Sequence, residues 1–305
     1  MEAPNQDETV WSLLGQRLTR PSLPAAAQQR AEAQLAAARA EYERNPGLEH
    51  TIWYGRRAAY LFQYRRAIAI YTDGIRRFPD AHQLYRHRGH RFLSTRQFAR
   101  AIDDLERAAA LATGQPVLPE PDGIPNRLNT PRSTTHFNIW YHLGLAYYLS
   151  RSFERAQAAY ETCLQYADND DSLTATVDWL WMTLRRLGKT SEAEALLAQI
   201  APTMDLVEDD SYHRRLLLYK GMLTPEELLA APAGVDDPEL ALATQGYGVG
   251  NWYLVEGDPE RARDVFQRVL ETTNWAAFGY IAAEVELANA GVAGMAFRSP
   301  SPPER

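Results

Sequence analysis

The stretch Trp140-Tyr141-His142-Leu143-Gly144-Leu145-Ala146-Tyr147, followed by Phe153, Ala156, Tyr160 and Cys163, decides how the 305-residue chain is read. Its large and small residues alternate at helical spacing. The small ones, Gly144 and Ala156, let two helices approach closely, and the large ones fill the space left between them. The same register recurs upstream as Tyr54-Gly55, Tyr64, Ala67, Tyr71, Gly74 and Pro79, and again as Gly89, Phe92, Phe98, Ala101, Leu105 and Ala108. Ala67 and Ala101 are 34 residues apart. Downstream, Trp181, Leu184 and Ala193 mark a fourth copy, and Gly250, Tyr253, Pro259, Ala262 and Phe266 mark a last one. From Ala193 to Ala262 is 69 residues, about two periods, so a degenerate unit lies between. Its helices are predicted over 211–220 and 224–229, the second opened by Thr224-Pro225-Glu226-Glu227, a capped helix start.

A 34-residue period carrying Trp, Leu-Gly and Tyr, then Ala, Phe and Pro, resembles the tetratricopeptide repeat. That resemblance implies an all-α fold: a right-handed α-solenoid of about six helical hairpins with capping helices, whose first helices line a concave groove. The blocks Tyr85 to Arg91, Asn138 to Tyr148 and Ser211 to Gly221 further resemble an uncharacterised group of bacterial tetratricopeptide proteins, some of which carry export signals. No assigned activity comes with that group.

The solenoid is expected over 24–296, between mobile tails at 1–23 and 297–305. From Ala101 to Ala156 is 55 residues, one period plus 21. The surplus is the stretch of about 113–134, whose Pro116, Pro119, Pro121, Pro125 and Pro131 forbid a continuous helix. The alanine-rich segment 24–44, stopped by Asn45-Pro46-Gly47, is expected to cap one end, and 275–290 the other.

Charge limits the partners. The net charge of -7 and pI near 5.6 argue against a surface built for nucleic acid. Yet residues 51–110 hold twelve Arg and five acids, so one end of the array is basic. Cys163 is the only cysteine, which excludes an internal disulfide and cysteine-based zinc sites and suits a packed structural thiol. No apolar run is long enough to span a bilayer. The acidic, polar first ten residues are unlike a signal peptide, which predicts a cytoplasmic chain unless a leader has been removed before export.

Groove geometry, as implied by the resemblance, turns Arg56, Arg86, His90, Tyr141, Asp178, Tyr247 and Asn251 inward, with Asn138, Tyr148 and Arg185 one turn away. Guanidinium groups, amides and tyrosines predict a non-catalytic binding or scaffold protein. Its partner would be an acidic or carboxylate-bearing peptide, a protein segment or a polar small molecule, with no cofactor. The lysine and asparagine pattern of chaperone-tail clamps is not reproduced, since Ile52 stands where a basic residue is expected. The alternative is a metal-dependent or small-molecule-processing enzyme with a His/Asp/Tyr site, the metal held by His87, His90, His142 and His213. No nucleophile elbow, zinc-protease motif or Walker loop supports that alternative. The adjacent acids Asp103-Asp104 and Asp209-Asp210 read as solvated surface. Gly250 is explained by close helix packing, whereas Gly246 and Gly248 each cost about 1 kcal/mol in a helix interior. Either the helix begins later or something lies against its backbone.

Overall fold

The computed structural model describes residues 9–123, 126–208, 210–230 and 238–296, the last six by their backbone alone. After a capping helix α1 (Ala25–Arg44), the chain folds into six helical hairpins. The first three are α2 (Leu48–Tyr60) with α3 (Tyr64–Arg77), α4 (His82–Ser94) with α5 (Phe98–Ala112), and α6 (Thr135–Leu149) with α7 (Phe153–Leu164). The next three are α8 (Asp170–Arg186) with α9 (Thr190–Leu196), α10 (Ser211–Tyr219) with α11 (Pro225–Leu229), and α12 (Pro238–Val255) with α13 (Pro259–Leu270). A last helix, α14 (Phe278–Ala296), follows.

One local device is repeated in every hairpin. The residue that turns the first helix into the second is left-handed: Phe62 (φ 58°), Arg96 (61°), Arg151 (59°), Gly188 (73°), Gly221 (69°) and Gly257 (87°). The amide that follows it returns to the carbonyl five residues back, as in Gln97 to Phe92 (2.8 Å), Lys189 to Leu184 (2.9 Å) and Asp258 to Tyr253 (2.8 Å). This is the Schellman closure of a helix end, for which glycine is the least costly residue. Three hairpins place a larger side chain there, at roughly 1–2 kcal/mol each.

Stacked first helices form the inner wall, and the wall closes on itself. Helix α14 packs on α12 and α13 and reaches back to α6. Its Phe278 ring lies 5.3 Å from that of His90 on α4, and Trp275 just before it lies 5.5 Å from Tyr64 at the start of α3. Fully buried Glu284 accepts from Arg96 at 2.7 Å, and Glu286 accepts from Arg186 at 2.5 Å and Arg151 at 3.2 Å. Two of the three non-glycine turn residues therefore send their guanidinium groups to α14. The sequence explains the closure: α6 and α14 are apolar round most of their circumference, and such helices are stable only when covered on all sides. Fourteen residues of α6 are buried.

Two expectations change. Residues 10–18, placed in a mobile tail, form a two-stranded antiparallel ribbon, β1 (Val10–Trp11) with β2 (Arg17–Leu18). It buries Val10 and Leu18, the amide of Leu13 donates to Glu284, and the Trp275 indole donates to the Thr19 carbonyl at 2.7 Å. The outermost parts of both expected tails, 1–8 and 297–305, lie outside the described residues. Asp104, read as solvated, is buried and holds Arg88 in a two-pronged pair at 2.7 Å on each arm, because α4 packs against α5 there. Its counterpart Asp209 lies outside the described residues.

Breaking the closure on one side leaves a buried charge without its partner. Glu284→Ala should cost about 3–5 kcal/mol in urea unfolding, whereas the double replacement Arg96→Met, Glu284→Leu should cost far less, since no charge is then stranded. Equal losses in the two variants would show that the pair is not what matters.

Candidate functional site

The closure redistributes the residues expected in the groove. Tyr148, Asp178, Tyr247 and Asn251 lie in the core, where α8, α10 and α12 meet. The Tyr247 hydroxyl donates to Tyr148 at 2.7 Å, and Tyr148 donates to the Asn251 side-chain oxygen at 3.2 Å. Asp178 lies 2.9 Å from Arg215, and neither side chain is exposed. An open channel here is thus corrected to a packed interior. The glycines of α12 belong to it: a Cβ on Gly248 would sit 2.2 Å from the Arg215 Nε, and one on Gly246 would sit 2.6 Å from Val269. The backbone that Gly246 and Gly248 bare is approached by the protein's own side chains.

The arginines are also engaged. The proline-rich segment after α5 bends back at an isolated bridge between Pro119 and Thr134 and lies over the first two hairpins. Arg56 donates to its Pro121 carbonyl at 2.6 Å and Arg57 to its Gly123 carbonyl at 3.0 Å. Arg86 pairs with its Glu120 at 3.0 Å, both buried. Glu120 is thereby the internal counter-ion of the Arg86 guanidinium. Arg185 reaches Glu256 at 2.7 Å.

Four expected residues remain together around one cavity of about 330 Å³: Arg86, His90, Asn138 and Tyr141. Helix α4 supplies the first two and α6 the others, together with Phe137 and His142. The far wall is the start of α8, with Asp171, Ser172 and Ala175. Arg132, Ser133, Glu208, Tyr212 and Phe278 complete it. Sequence reasoning missed these, since they come from loops, the degenerate fifth unit and the closing helix. The one available signal was α14 itself, whose apolar circumference demands a cover.

Three neutral imidazoles sit at or beside this cavity. Burial and the charge of Arg86 hold His142 well below the usual histidine range, and burial with Arg91 and His142 does the same for His90. His87 is lowered by burial and by Arg86. The His142 Nδ1 lies 2.5 Å from the Asn138 carbonyl, so its proton is assigned there and Nε2 is left as an acceptor. The His90 and His142 rings are 4.3 Å apart at their centres. His213, the fourth residue of the metal alternative, lies apart and bonds the Ala201 carbonyl at 2.8 Å. Among the described residues no group of three or more His, Cys, Asp or Glu is placed to hold a metal ion.

A family model described as a tetratricopeptide repeat matches residues 137–170, the unit that begins with α6. That unit, one of the six hairpins described, is similar to a tetratricopeptide repeat. Solved structures similar to this chain include YrrB, described as a TPR protein with an unusual peptide-binding site. It is 16% identical, with 84% of this chain and 98% of YrrB covered and a TM-score of 0.43. A tetratricopeptide repeat protein from Parabacteroides merdae is 12% identical, covering 86% of this chain and 94% of its own, with a TM-score of 0.49. BtubC from P. vanneervenii is 15% identical, covering 93% and 97%, with a TM-score of 0.45. No curated protein matches the chain. Arrays of such repeats build extended concave surfaces that can serve for binding. Among the described residues no helix is long and apolar enough to cross a membrane.

Histidines held neutral set the acid limb of stability. Below about pH 6.5 each imidazole takes up a proton on unfolding that the folded state refuses, so stability falls as pH falls, by up to about 1.4 kcal/mol per group per pH unit. Asp178, raised to about 7 by burial against the pull of Arg215, acts in the opposite sense, as do the burial-raised carboxyls of Asp104, Asp122 and Glu208, whereas His82, lowered by burial, adds to the three imidazoles. Chemical unfolding at stepped pH should show net proton uptake on unfolding between about pH 6.5 and 5. A flat profile would contradict neutral imidazoles.

Proposed function

We propose that the protein is a binding module that holds a polar small molecule in the cavity bounded by α4, α6, α8 and the start of α14. The observation that carries this reading is the cavity of about 330 Å³, in which Arg86, His90, Asn138 and Tyr141 converge among aromatic rings. That volume is at the lower end of the range for small-molecule sites and leaves little room for an extended peptide. Apolar walls with a few convergent polar groups are the common composition of such sites.

The acidic peptide expected from the sequence is less well supported. Arg56 and Arg185, which would have gripped it, already have partners in Pro121 and Glu256, and Arg86, held by Glu120 and His87, keeps only its Nε for a ligand. Tyr148, Tyr247 and Asn251 are buried in the core and bonded to one another. The scaffold function of the repeat then falls to the outer surface, while the inner wall serves the small ligand.

The test is a thermal-shift screen of polar small molecules against the full chain and against Ala175→Phe. Ala175 lines the cavity, and a phenyl ring there fills it without removing any polar group. A ligand at about 100 times its Kd adds about 2.7 kcal/mol of stability, enough for a shift of several degrees. Hits on the parent chain should vanish in Ala175→Phe. Hits that persist there would place the binding site elsewhere, and a screen with no hits would remove the proposal.

A further inference from the structure

The cavity is polarised along its length. At the α4 end Arg86 is 7% exposed, its Nε is buried without a hydrogen-bond acceptor, and Glu120 is the carboxylate paired with it. Two more guanidinium groups, Arg56 and Arg91, are near enough to depress the imidazole of His87. Glu120 and Asp122, the latter close to Arg56, offset two of these three guanidinium groups, and the neutral histidines add no charge, so one positive charge is left over.

At the α8 end the balance reverses. Asp171 is spoken for: it accepts from Arg132 at 2.8 Å and from the amides of Val207 and Glu208, each at 3.0 Å. That leaves Glu208 as the second carboxylate at the cavity wall. Burial, and then the neighbouring charges of Asp171 and Asp122, push its carboxyl above the usual range by more than a hydrogen bond with Asn126 and the charge of Arg132, already paired with Asp171, pull it down. The neutral His142, with Nε2 as an acceptor, lies between the two ends on α6.

An anion would meet Arg86 but be repelled at Glu208, and a cation would meet the reverse. A molecule carrying both charges satisfies the two ends together. We infer that the cavity takes a zwitterion of the α-amino-acid type, its carboxylate toward Arg86, its ammonium toward Glu208, and an apolar side chain against Phe137, Tyr141 and Phe278. The inference rests on the cavity being the binding site, and it names the ligand class of that site. It also revises the purely acidic ligand that the sequence suggests, because the arginine-rich end is only half of the wall.

Calorimetric titration of the full chain with L-phenylalanine and L-leucine tests it, alongside 3-phenylpropionate, which lacks the ammonium, and phenethylamine, which lacks the carboxylate. At least one amino acid should bind, with either truncated analogue of phenylalanine weaker by about tenfold or more, the expected cost of losing a charged hydrogen bond. Glu208→Gln, which keeps the shape of the side chain and removes its charge, should weaken the amino acid by about tenfold and should not weaken 3-phenylpropionate, which loses a repulsion. An analogue that binds as tightly as the amino acid would overturn the zwitterion. So would an amino acid whose affinity is unchanged in Glu208→Gln or in Ala175→Phe. If neither amino acid binds while other polar compounds do, and lose affinity in Ala175→Phe, the ligand class falls and the cavity stands. If nothing binds, both fall.

Discussion

A carboxylate buried as completely as that of Glu284 needs a partner, and the partner it finds, Arg96, belongs to a hairpin 188 residues earlier in the chain. Most of the architecture depends on this contact. An array of helical hairpins has no intrinsic reason to stop or to close, because each unit needs only its neighbours. Here α14 carries Glu284 and Glu286 into the hollow, and Arg96, Arg151 and Arg186 receive them. A buried ion pair contributes little net stability compared with apolar groups of the same shape, yet a mismatched one is costly. The pairs thus act as a register device: they fix where α14 stops and which turns it meets. The left-handed backbone at Arg96 and Arg151 belongs to the same arrangement, since glycine there would relieve the turn and abolish the contact.

The repeats were legible in the sequence because their packing is local. Gly55, Gly89, Gly144 and Gly250 each admit a side chain of the facing helix: Tyr71, Leu105, Tyr160 and Phe266 respectively. A pattern set by neighbours at fixed spacing can be read from one chain. The break after Ala112 and the capped start at Thr224 were legible for the same reason, both being decided within a few residues. The closure was not. It joins Arg96 to Glu284 and Tyr64 to Trp275, pairs far apart in sequence, and a repeat pattern says nothing about how far the array curves. The signal that was present lay in helix composition. Helix α3 has one apolar face and suits an outer position, whereas α6, α12 and α14 have no polar face wide enough for water.

The candidate site is what the closure leaves over. Had the groove stayed open, Tyr148, Asp178, Tyr247 and Asn251 would have lined it with Arg86 and Tyr141. Filling its centre with α14 and bringing Glu120 over its basic end narrows the wall to one cavity, with α4 on one side and α8 on the other. Residues such as Glu208 and Tyr212 enter only because the loop after α9 and the short α10 fold back onto α8. The polarity of the cavity thus comes from chain segments that no repeat consensus specifies, which is where a shared fold acquires a particular ligand.

The closed ring is most directly tested by a distance. In a Cys163→Ala background, spin labels at Ala99 and Thr273, both exposed and each close to the Arg96–Trp275 contact of 2.9 Å, report whether the ends of the array meet. Pulsed dipolar spectroscopy should give one short, narrow distance. A long or broad distribution, as expected for hairpins separated by the full curve of an open solenoid, would contradict the closed ring on which the cavity depends.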